Sequence, residues 1–340
     1  MKVVLVTPNY HQQRGNTITV QRISSKLAAY GVETEIVSIS ENVEENPTFL
    51  PKGDIIHGFN AYQFFKFKEN LTTNLHNYVV TLTGTDFNYD LFNDQKRAKV
   101  IQSLIEAKAV HVFNQHAKKV ILKEVPQIQN KIFVIEQDIN DFDDNRSSPI
   151  QKEENTFLFV LPAGIRPVKN VPFAIEALKI VHNKYPYIRL LLVGPELDKL
   201  EGKLVRDLVH KNKWVRYIGE VPHQDMGSVY KIADSLLNTS YTEGQSTAIM
   251  EGMAYGLPVL VSHNDGNLSL VEHEKTGFVY KNLSEFIVYA EAIIDRTKKR
   301  NELGSAAKKF INNHHSNSKE VNHLLKIYQQ VLEPTNNYDN

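Results

Sequence analysis

Two glutamates separated by seven residues are the most distinctive candidates for chemistry in this sequence. Glu243 follows a strand-like apolar run, and Gly244 after it permits close approach between the backbone and a ligand. Ser246 or Thr247 can cap a helix on which Glu251 shares a face with Thr247. Two carboxylates placed in this way can accept hydrogen bonds from neighbouring hydroxyl groups, as on a sugar and a ribose. The alternative is that both are solvated glutamates at the start of a helix.

The backbone around these glutamates also suits an anion. The loop amides from Gly244 to Ser246, which include that of Gln245, and the helix N-terminus would point at a bound ligand. The positive end of a helix favours anions, and Gly256 can end this helix. The sequence therefore predicts a site for an anionic ligand that carries hydroxyl groups.

A second pair of candidates is cationic. Arg166 and Lys169 lie three residues apart, after a turn that contains Gly164. A fixed guanidinium fork and an ammonium group suit a diphosphate, whose negative charge grows as its bond to a sugar breaks. The alternative is a pair of solvated cations on a surface loop.

The overall composition is that of a globular protein without a strong charge. Of the 340 residues, 41% are hydrophobic and 23% are charged, which excludes disordered and fibrous classes. Lys plus Arg and Asp plus Glu both number 39, so the net charge favours neither a nucleic acid nor an anionic membrane as the main partner. The lack of cysteine removes disulfide scaffolds, zinc ribbons, iron–sulfur clusters and thiol nucleophiles.

Several common sequence motifs are absent. No strand is followed by G-x-G-x-x-G, and the P-loop, the G-x-S-x-G elbow and the H-E-x-x-H helix do not occur. Hydride transfer, P-loop hydrolysis and serine-esterase chemistry therefore lose support. No run of about 18 apolar residues occurs, and the apolar run after Lys2 is too short for a signal peptide, so we expect a cytoplasmic protein.

Strand-length apolar runs alternate with helix-length amphipathic stretches along the chain, which is typical of βαβ units and a parallel sheet. The runs in the first half are Val3–Thr7, Thr34–Ile39, Ile55–Gly58, Tyr78–Thr83, Val110–Asn114 and Ile132–Glu136. The runs in the second half are Phe157–Leu161, Arg189–Val193, Val215–Ile218, Ser235–Asn238, Val259–Ser262 and Phe278–Tyr280.

A polar, turn-rich segment at residues 141–154 separates the two series and predicts a linker. We therefore expect an α/β protein with two doubly wound domains, at 1–145 and 155–312. Residues 313–340 follow, and the pattern at 319–332 predicts a helix that buries one face. In the first domain, Asn16 or Thr17 can begin the first helix and Gly31 can end it.

Taken in order, the motifs of the second half resemble those of glycosyltransferase family 4, which are retaining enzymes of the GT-B fold. Glu243 and Glu251 are followed by an Ala-x-Gly-x-Pro-Val run, and the segment from Gly164 to Asn170 is similar to the family's Arg and Lys pair. Other segments fall where the family's core and nucleotide-binding elements fall: Leu192-Val193-Gly194, Tyr217-Ile218-Gly219-Glu220-Val221, Asn238-Thr239-Ser240 and Glu272-His273-Glu274-Lys275-Thr276-Gly277.

The resemblance implies a specific architecture and activity. Two Rossmann-like domains would face each other across a cleft, with the C-terminal helix crossing back to the first domain. The activity would be retaining transfer of a hexose from a nucleotide diphosphate sugar, expected to be a UDP-sugar, to an unidentified acceptor. Neither a cofactor nor a metal ion is expected.

The resemblance also implies roles for individual residues. Arg166 and Lys169 would stabilise the leaving diphosphate, and Glu243 would hold the donor sugar. Glu251 would hold the ribose hydroxyls. The donor-binding residues would be Gly164, Arg166, Lys169, Gly194, Ile218, Gly219, Glu243, Gly244, Gln245, Ser246, Thr247 and Glu251.

The first half departs from the family pattern. Many family members have a histidine where this sequence has Thr83, within Thr81-Leu82-Thr83-Gly84-Thr85-Asp86. Together with Arg14-Gly15-Asn16-Thr17, this variant is similar to two atypical branches, the selenosugar synthases and the proteins called glycosyltransferase 1 domain-containing protein 1. In the front-face mechanism usually proposed for the family, the departing phosphate takes the acceptor's proton, which would lessen the cost of lacking the histidine.

Candidates for the acceptor side are Arg14, Gly15, Asn16, His57, Thr83, Gly84, Thr85 and Asp86. Plainer alternatives exist for most of them. The segment from Arg14 to Asn16 either binds an anionic acceptor or is an ordinary loop before a helix. His57 either reaches the cleft or is a satisfied buried histidine. Asp86 accepts a proton, orients an acceptor or caps a helix.

Two further alternatives concern partners and function. The segment Tyr62–Lys68 mixes aromatic residues with lysines, which suits either contact with a membrane or a helix packed on the sheet. The alternatives to a transferase are a non-catalytic nucleotide-sugar-binding partner of another transferase and a GT-B sugar-nucleotide epimerase.

Overall fold

The computed structural model describes residues 1–12, 15–40, 42–75, 77–139, 142, 148, 150–315 and 319–333. The chain divides into two compact units. The N-terminal unit comprises Met1–Asp138 and Asn317–Asn340, and the C-terminal unit comprises Ile139–Ser316. In the described part of the chain, each unit contains one six-stranded parallel sheet.

The strands agree closely with the sequence pattern. In the N-terminal unit they are β1 Lys2–Pro8, β2 Glu33–Ile39, β3 Ile55–Phe59, β4 Tyr78–Thr81, β5 Ala109–Val112 and β6 Ile132–Val134. In the C-terminal unit they are β7 Phe157–Pro162, β8 Ile188–Val193, β9 Val215–Tyr217, β10 Ser235–Asn238, β11 Val259–Ser262 and β12 Phe278–Tyr280.

Helices connect the strands in both units. The first group is α1 Gly15–Ala29, α2 Ala61–Lys68, α3 Thr85–Asn88, α4 Arg97–Glu106 and α5 Gln115–Glu124. The second group is α6 Val171–Lys184, α7 Lys199–Lys211, α8 Met226–Ile232, α9 Thr247–Ala254, α10 Asp265–Leu268, α11 Leu283–Asp295 and α12 Thr297–His314. The C-terminal helix α13, Lys319–Leu332, belongs to the N-terminal unit.

Both sheets are doubly wound. The strand order is β2-β1-β3-β4-β5-β6 in the N-terminal unit and β12-β11-β10-β7-β8-β9 in the C-terminal unit. In the C-terminal unit the chain leaves β7 toward β8 on one side and later returns to β10 on the other side. Ligands of such sheets bind beyond the carboxyl ends of the strands at this point of reversal. The loops after β7 and β10 are therefore the places where a site is expected.

The strands read as continuous apolar runs because both faces of each sheet are buried. Along β1, Val4 and Val6 pack in one core while Val3 and Leu5 pack in the other, and all four are inaccessible to solvent. Alternation of this kind follows from the period of two along a strand.

The C-terminal helix α13 packs against the same core as the odd-numbered side chains of β1. Val321, Leu324 and Tyr328 are buried in this core. Next to them, the guanidinium of Arg22 on α1 donates to both carboxylate oxygens of Glu320, each at 2.8 Å. A paired and hydrogen-bonded geometry is what a buried charge requires.

The structure corrects the predicted start of the first helix. Helix α1 begins at Gly15, so Asn16 and Thr17 lie within its first turn. The hydroxyl of Thr17 donates to the carbonyl oxygens of Tyr10 and Gln12 instead. The predicted end is confirmed, because α1 ends at Ala29 and Gly31 adopts a left-handed φ of 75°.

Strands β4, β5 and β6 end two residues earlier than the sequence pattern predicts, and β9 ends one residue earlier. Strand β4 ends at Thr81, because the amide of Thr83 donates to the Asp86 carboxylate instead of a neighbouring strand. Strand β5 ends at Val112, because the side chain of Asn114 accepts from the amide of Ala117 and caps α5.

The segment at 141–154 contributes to a core where the structure describes it. Phe142 and Ile150 pack against the core of the C-terminal unit. Residues 141, 143–147 and 149 lie outside the described residues. Hydrophobic packing at these two positions is more than a polar linker would provide.

Helix α2 resolves the two readings of the aromatic and lysine-rich segment. Phe64, Phe65 and Phe67 are buried, so the aromatic face packs inside the N-terminal unit. The structure thus favours the packed helix over membrane contact. In the described part of the chain, no helix has both the length and the apolar character needed to cross a membrane.

Candidate functional site

The loop after β7 presents the two predicted cations. The backbone turns at Gly164, where an added Cβ atom would lie 2.5 Å from the Leu197 side chain. The amide of Ile165 donates to the carbonyl of Pro195 at 2.8 Å, which fixes this loop against the loop after β8. Arg166 and Lys169 follow at the carboxyl edge of the sheet.

Arg166 carries a buried donor without a partner. Its Nε atom is inaccessible to solvent and has no hydrogen-bond partner among the described residues, although the side chain as a whole is only half-buried. Leaving such a donor unpaired costs about 1–3 kcal/mol. A bound anion would supply the missing acceptor.

Glu243, in the loop after β10, is held by three donors on one carboxylate oxygen. Its Oε1 accepts from Lys169 Nζ at 2.6 Å, from Ser240 Oγ at 2.6 Å and from Asn238 Nδ2 at 3.0 Å. Burial raises the pKa of Glu243, but the Lys169 ammonium and the hydrogen bonds outweigh it and hold the pKa below its usual range. Glu243 is therefore ionised at neutral pH, and its side chain is only 10% exposed.

A second layer of polar residues supports Glu243. Asn267 Nδ2 donates to the Asn238 side chain at 3.1 Å and to the carbonyl of Ser262 at 2.9 Å. The neighbouring Gly266 packs so closely that an added Cβ atom would lie 2.4 Å from the carbonyl oxygen of Glu243. The sequence does not single out Gly266 or Asn267, because they are separated from Glu243 by more than twenty positions and match no motif.

The helix after Glu243 is capped as predicted. Ser246 precedes α9, and its side chain accepts from the amide of Ile249 at 3.5 Å. Thr247 is the first residue of the helix. Gly256 follows the helix with a left-handed φ of 77°, a conformation that glycine adopts without strain.

Glu251 on α9 lies in a closed polar environment. Its Oε1 bonds to His223 Nε2 at 2.6 Å and its Oε2 to the Tyr230 hydroxyl at 2.8 Å. Burial together with the Glu251 charge raises the pKa of Tyr230 well above its usual value, so this hydroxyl is the donor. With side-chain exposures of 10% and 3%, neither Glu243 nor Glu251 is a solvated surface glutamate.

The loops after β8 and β9 meet beside this site. Gly194 has a φ of 143°, and an added Cβ atom would lie 2.1 Å from the carbonyl oxygen of Ala163, so only glycine fits. Its amide donates to the carbonyl of Gly219 at 2.7 Å. A cavity of about 600 Å³ is lined by β9 residues and by Ile218 and Glu220. This volume lies within the range of small-molecule sites.

The structure brings together the candidate donor-binding residues after β7 and β10. Lys169 and Glu243 are in direct contact, and Gly244, Gln245, Ser246 and Thr247 form one continuous stretch from Glu243 into α9. Glu251 faces His223 and Tyr230 instead, and Ile218 lines the cavity.

The N-terminal candidates divide into buried and accessible residues. Arg14 lies outside the described residues, while Gly15 and Asn16 form the start of α1. His57 is inaccessible to solvent and both ring nitrogens are bonded, Nδ1 to the Tyr328 hydroxyl at 2.7 Å and Nε2 to the Thr81 hydroxyl at 2.6 Å. The structure therefore favours the satisfied buried histidine over a residue that reaches a ligand.

Asp86 likewise holds the local backbone. It is inaccessible to solvent and accepts from the amides of Ala61, Thr83 and Gly84 at 2.9–3.2 Å. Burial raises the pKa of Asp86 to about 6 despite these hydrogen bonds. Thr83 is half-buried and Thr85 is exposed, so these two residues, not Asp86, are accessible in this turn.

Among the described residues, no group of three or more His, Asp and Glu side chains is placed to hold a metal ion.

Comparisons with known proteins relate the chain to sugar-transferring enzymes. Residues 140–310 match the family described as glycosyl transferases group 1. The chain is 29% identical over 315 residues to glycosyltransferase 1 domain-containing protein 1 of Xenopus tropicalis, which covers 89% of this chain and 90% of that protein. It is 30% identical over 131 residues to alpha-monoglucosyldiacylglycerol synthase of Acholeplasma laidlawii, covering 38% of this chain and 33% of that protein.

Solved structures show the same architecture. Sucrose-phosphate synthase from Thermosynechococcus elongatus superposes with a TM-score of 0.78 at 14% identity, covering 97% of this chain and 99% of that one. Anabaena HepE, solved in complex with UDP and glucose, superposes with a TM-score of 0.72 at 16% identity, covering 98% of both chains. These likenesses, with the two parallel sheets, show the GT-B fold.

Proposed function

The chain belongs to the glycosyl transferases group 1 family, and we propose that it is a retaining hexosyltransferase that uses a UDP-sugar as donor. Membership of the family supports transfer of a sugar. The donor, the stereochemistry and the residue roles below are parts of the proposal.

The observation that carries the proposal is the arrangement of charge after β7 and β10. An ionised, nearly buried Glu243 is bonded to Lys169, and Arg166 on the same loop as Lys169 has a buried Nε without an acceptor among the described residues. An anion would supply an acceptor for Arg166, and a carboxylate is an acceptor for hydroxyl groups. A sugar attached to a diphosphate carries both.

The reaction requires these three residues to act on two parts of the donor. Glu243 accepts from sugar hydroxyls and fixes the sugar. Lys169 has three N–H donors, of which one is used on Glu243, so it can also donate to the diphosphate. Arg166 and Lys169 then stabilise the charge that grows on the diphosphate as the bond between C1 of the sugar and the phosphate oxygen breaks.

The proton balance needs no protein base. The acceptor oxygen forms the new bond to C1 on the face that the phosphate leaves, and its proton passes to the departing phosphate oxygen. The products are the glycosylated acceptor and the nucleoside diphosphate. This route agrees with the burial of Asp86 and His57, since neither is exposed to a substrate. We assign acceptor contacts to the accessible Thr83 and Thr85 and to the start of α1.

UDP is proposed as the nucleotide because the similar HepE structure was solved with UDP and glucose. The cavity beside Ile218 is the proposed place for the nucleoside. No metal requirement is proposed, so transfer should persist in a chelator.

Release of UDP from UDP-glucose tests the proposal. The wild-type chain should hydrolyse the donor slowly without an acceptor, and Glu243→Ala should reduce this rate by about 10²–10³-fold, as expected for loss of a preorganised polar group. The exposed Glu302→Ala is the matched control and should retain the wild-type rate. A rate unchanged in Glu243→Ala, or binding of UDP-glucose without any turnover across a broad acceptor panel, would contradict the proposal. Binding without turnover would instead indicate a non-catalytic partner.

A further inference from the structure

His223 is a half-buried residue that neither motif nor spacing singles out. It lies at the start of a short 3₁₀ turn, His223–Asp225, that follows Pro222. Its Nε2 lies 2.6 Å from Glu251 Oε1, although the two residues are 28 positions apart in the chain. The His223 side chain is 16% exposed and that of Glu251 is 3% exposed, so His223 is the more accessible member of the pair.

The geometry defines which ring nitrogen of His223 carries the hydrogen. An ionised carboxylate only accepts hydrogen bonds, so the Nε2 atom of His223 must carry the hydrogen. Tyr230 donates to the other oxygen of Glu251 at 2.8 Å. The carboxylate is therefore fixed at both oxygens, from α8 on one side and from the turn at His223 on the other.

The Glu251 carboxylate, although fixed in this way, can accept further hydrogen bonds. A carboxylate has about four lone-pair positions, and His223 and Tyr230 occupy one on each oxygen. One further hydrogen bond can form at each oxygen, which matches a pair of neighbouring hydroxyls. An unfixed glutamate would pay side-chain entropy to form the same bonds.

The turn that carries His223 also borders the cavity beside Ile218. Val221, Pro222 and Asp225 line this cavity of about 600 Å³. His223 thus joins Glu251 to the wall of the space in which the proposed function places the nucleoside. Phe142 packs on the other side, with its ring centroid 5.2 Å from that of His223.

We propose that His223 is a positioning residue that fixes the Glu251 carboxylate for recognition of the ribose hydroxyls of the donor. This inference rests on the proposed function, because it takes Glu251 as the ribose-binding residue. If His223 acts through Glu251, its loss weakens a ligand with both ribose hydroxyls more than a ligand that lacks the 2′-hydroxyl.

Titration calorimetry of the full chain with UDP and with 2′-deoxy-UDP tests this inference. The wild type should bind UDP roughly tenfold more tightly than the deoxy compound, as expected for a hydrogen bond to a charged group. In His223→Asn, UDP should weaken so that the ratio falls to about two, because the Asn amide nitrogen corresponds to Nδ1 and cannot reach Glu251. His223→Gln should retain most of the ratio, since its amide nitrogen lies about as far from Cα as Nε2 does.

Controls separate positioning from a general loss of structure. Tyr230→Phe should lower the ratio in the same way as His223→Asn, because it frees the other oxygen of Glu251. His210→Ala, which removes an exposed histidine on α7, should leave both affinities unchanged. Equal weakening of UDP and 2′-deoxy-UDP in His223→Asn would show a merely structural role and overturn the inference.

Two other results would also overturn it. Tighter binding of UDP by His223→Asn would show that His223 shields Glu251 instead of presenting it. A wild-type chain that binds UDP without preferring it to 2′-deoxy-UDP would remove ribose recognition while leaving the proposed transfer intact. Failure of the wild type to bind UDP at all would overturn both the UDP donor and this inference.

Discussion

The two units each bury a polar network, and the two networks differ in what they leave available. In the N-terminal unit, Tyr328, His57, Thr81 and His111 form a hydrogen-bonded chain through the core, and all four are inaccessible to solvent. In the C-terminal unit, Arg166 has a buried Nε without a partner among the described residues, on the same loop as Lys169, which is paired with the ionised Glu243. Burial and polarity alone therefore do not mark a binding site.

The hydrogen positions in this hydrogen-bonded chain follow from the partner of His111 at one end. His111 Nε2 lies 2.9 Å from the carbonyl oxygen of Ile135, which only accepts, so Nε2 carries the hydrogen. In the neutral ring, His111 Nδ1 then accepts from the Thr81 hydroxyl, which in turn accepts from His57 Nε2. His57 Nδ1 accepts from the Tyr328 hydroxyl.

Each internal donor in this chain has one acceptor, so the network stabilises the fold and has no group aimed at a ligand. Burial lowers the pKa of both histidines, and the neutral rings are the state that satisfies all the bonds. The C-terminal network is the opposite case, since its unpaired donor needs a group from outside.

Breaking the hydrogen-bonded chain of the N-terminal unit at Thr81 has the largest expected effect on stability. Thr81→Val leaves the His57 Nε2 donor and the His111 Nδ1 acceptor without a hydrogen-bond partner, which should lower the free energy of unfolding by about 3 kcal/mol. Thr7→Val makes the same change at a buried hydroxyl that has no hydrogen-bond partner among the described residues, so its cost should be near zero. Urea unfolding followed by circular dichroism measures both, and equal costs would contradict the closed-chain description.

Acid should weaken the same network. Both histidines have folded-state pKa values below the unfolded value near 6.5, so the unfolded chain takes up protons first as the pH falls. As the pH falls from 7.5 to 5.5, each neutral ring should lower the free energy of unfolding by up to about 1.4 kcal/mol, and the pair by up to about 2.8 kcal/mol.

Urea unfolding at the two pH values checks this dependence. His57→Gln removes one titrating ring and should reduce the pH dependence by about half, whereas the exposed His210→Ala should leave it unchanged. A pH dependence that His57→Gln does not alter would show that the network is not its source.

A smaller effect is expected where backbone packing positions Glu243. Gly266→Ala places a methyl group 2.4 Å from the Glu243 carbonyl oxygen, so this loop must shift. Sugar transfer should slow roughly tenfold, or about 1.4 kcal/mol, with a smaller change in UDP affinity. Gly202→Ala is the control, because its added methyl meets only the end of the Glu196 side chain. Equal rates in Gly266→Ala and the wild type would show that this packing does not position Glu243.

The sequence predicts the fold well for a physical reason. Each strand is buried on both faces, so it is a short apolar run such as Val3–Thr7, and such runs are visible without any knowledge of contacts. The sequence predicts the strand ends less accurately, because hydrogen bonds from the backbone to side chains such as Asn114 and Asp86 decide where the ladder stops.

The candidate site was predictable only where it is local in sequence. Glu243, its loop and the Ser246 cap lie within a few residues, so spacing on a helix reveals them. His223 with Glu251, Asn267 with Asn238, and Thr81 with two histidines are pairings across 24 to 30 positions. No periodicity links such residues, and only the sheet topology brings them together.

The central claim is that the C-terminal network binds the donor. Its most direct test is the affinity of UDP for the wild type and two variants, measured by titration calorimetry. Arg166→Ala should weaken UDP binding at least tenfold relative to wild type, because it removes a buried donor that has no acceptor among the described residues. Thr81→Val, measured at a temperature at which it stays folded, should bind UDP as the wild type does. Unchanged affinity in Arg166→Ala, or weakening in Thr81→Val equal to that in Arg166→Ala, would contradict the assignment of donor binding to the C-terminal network.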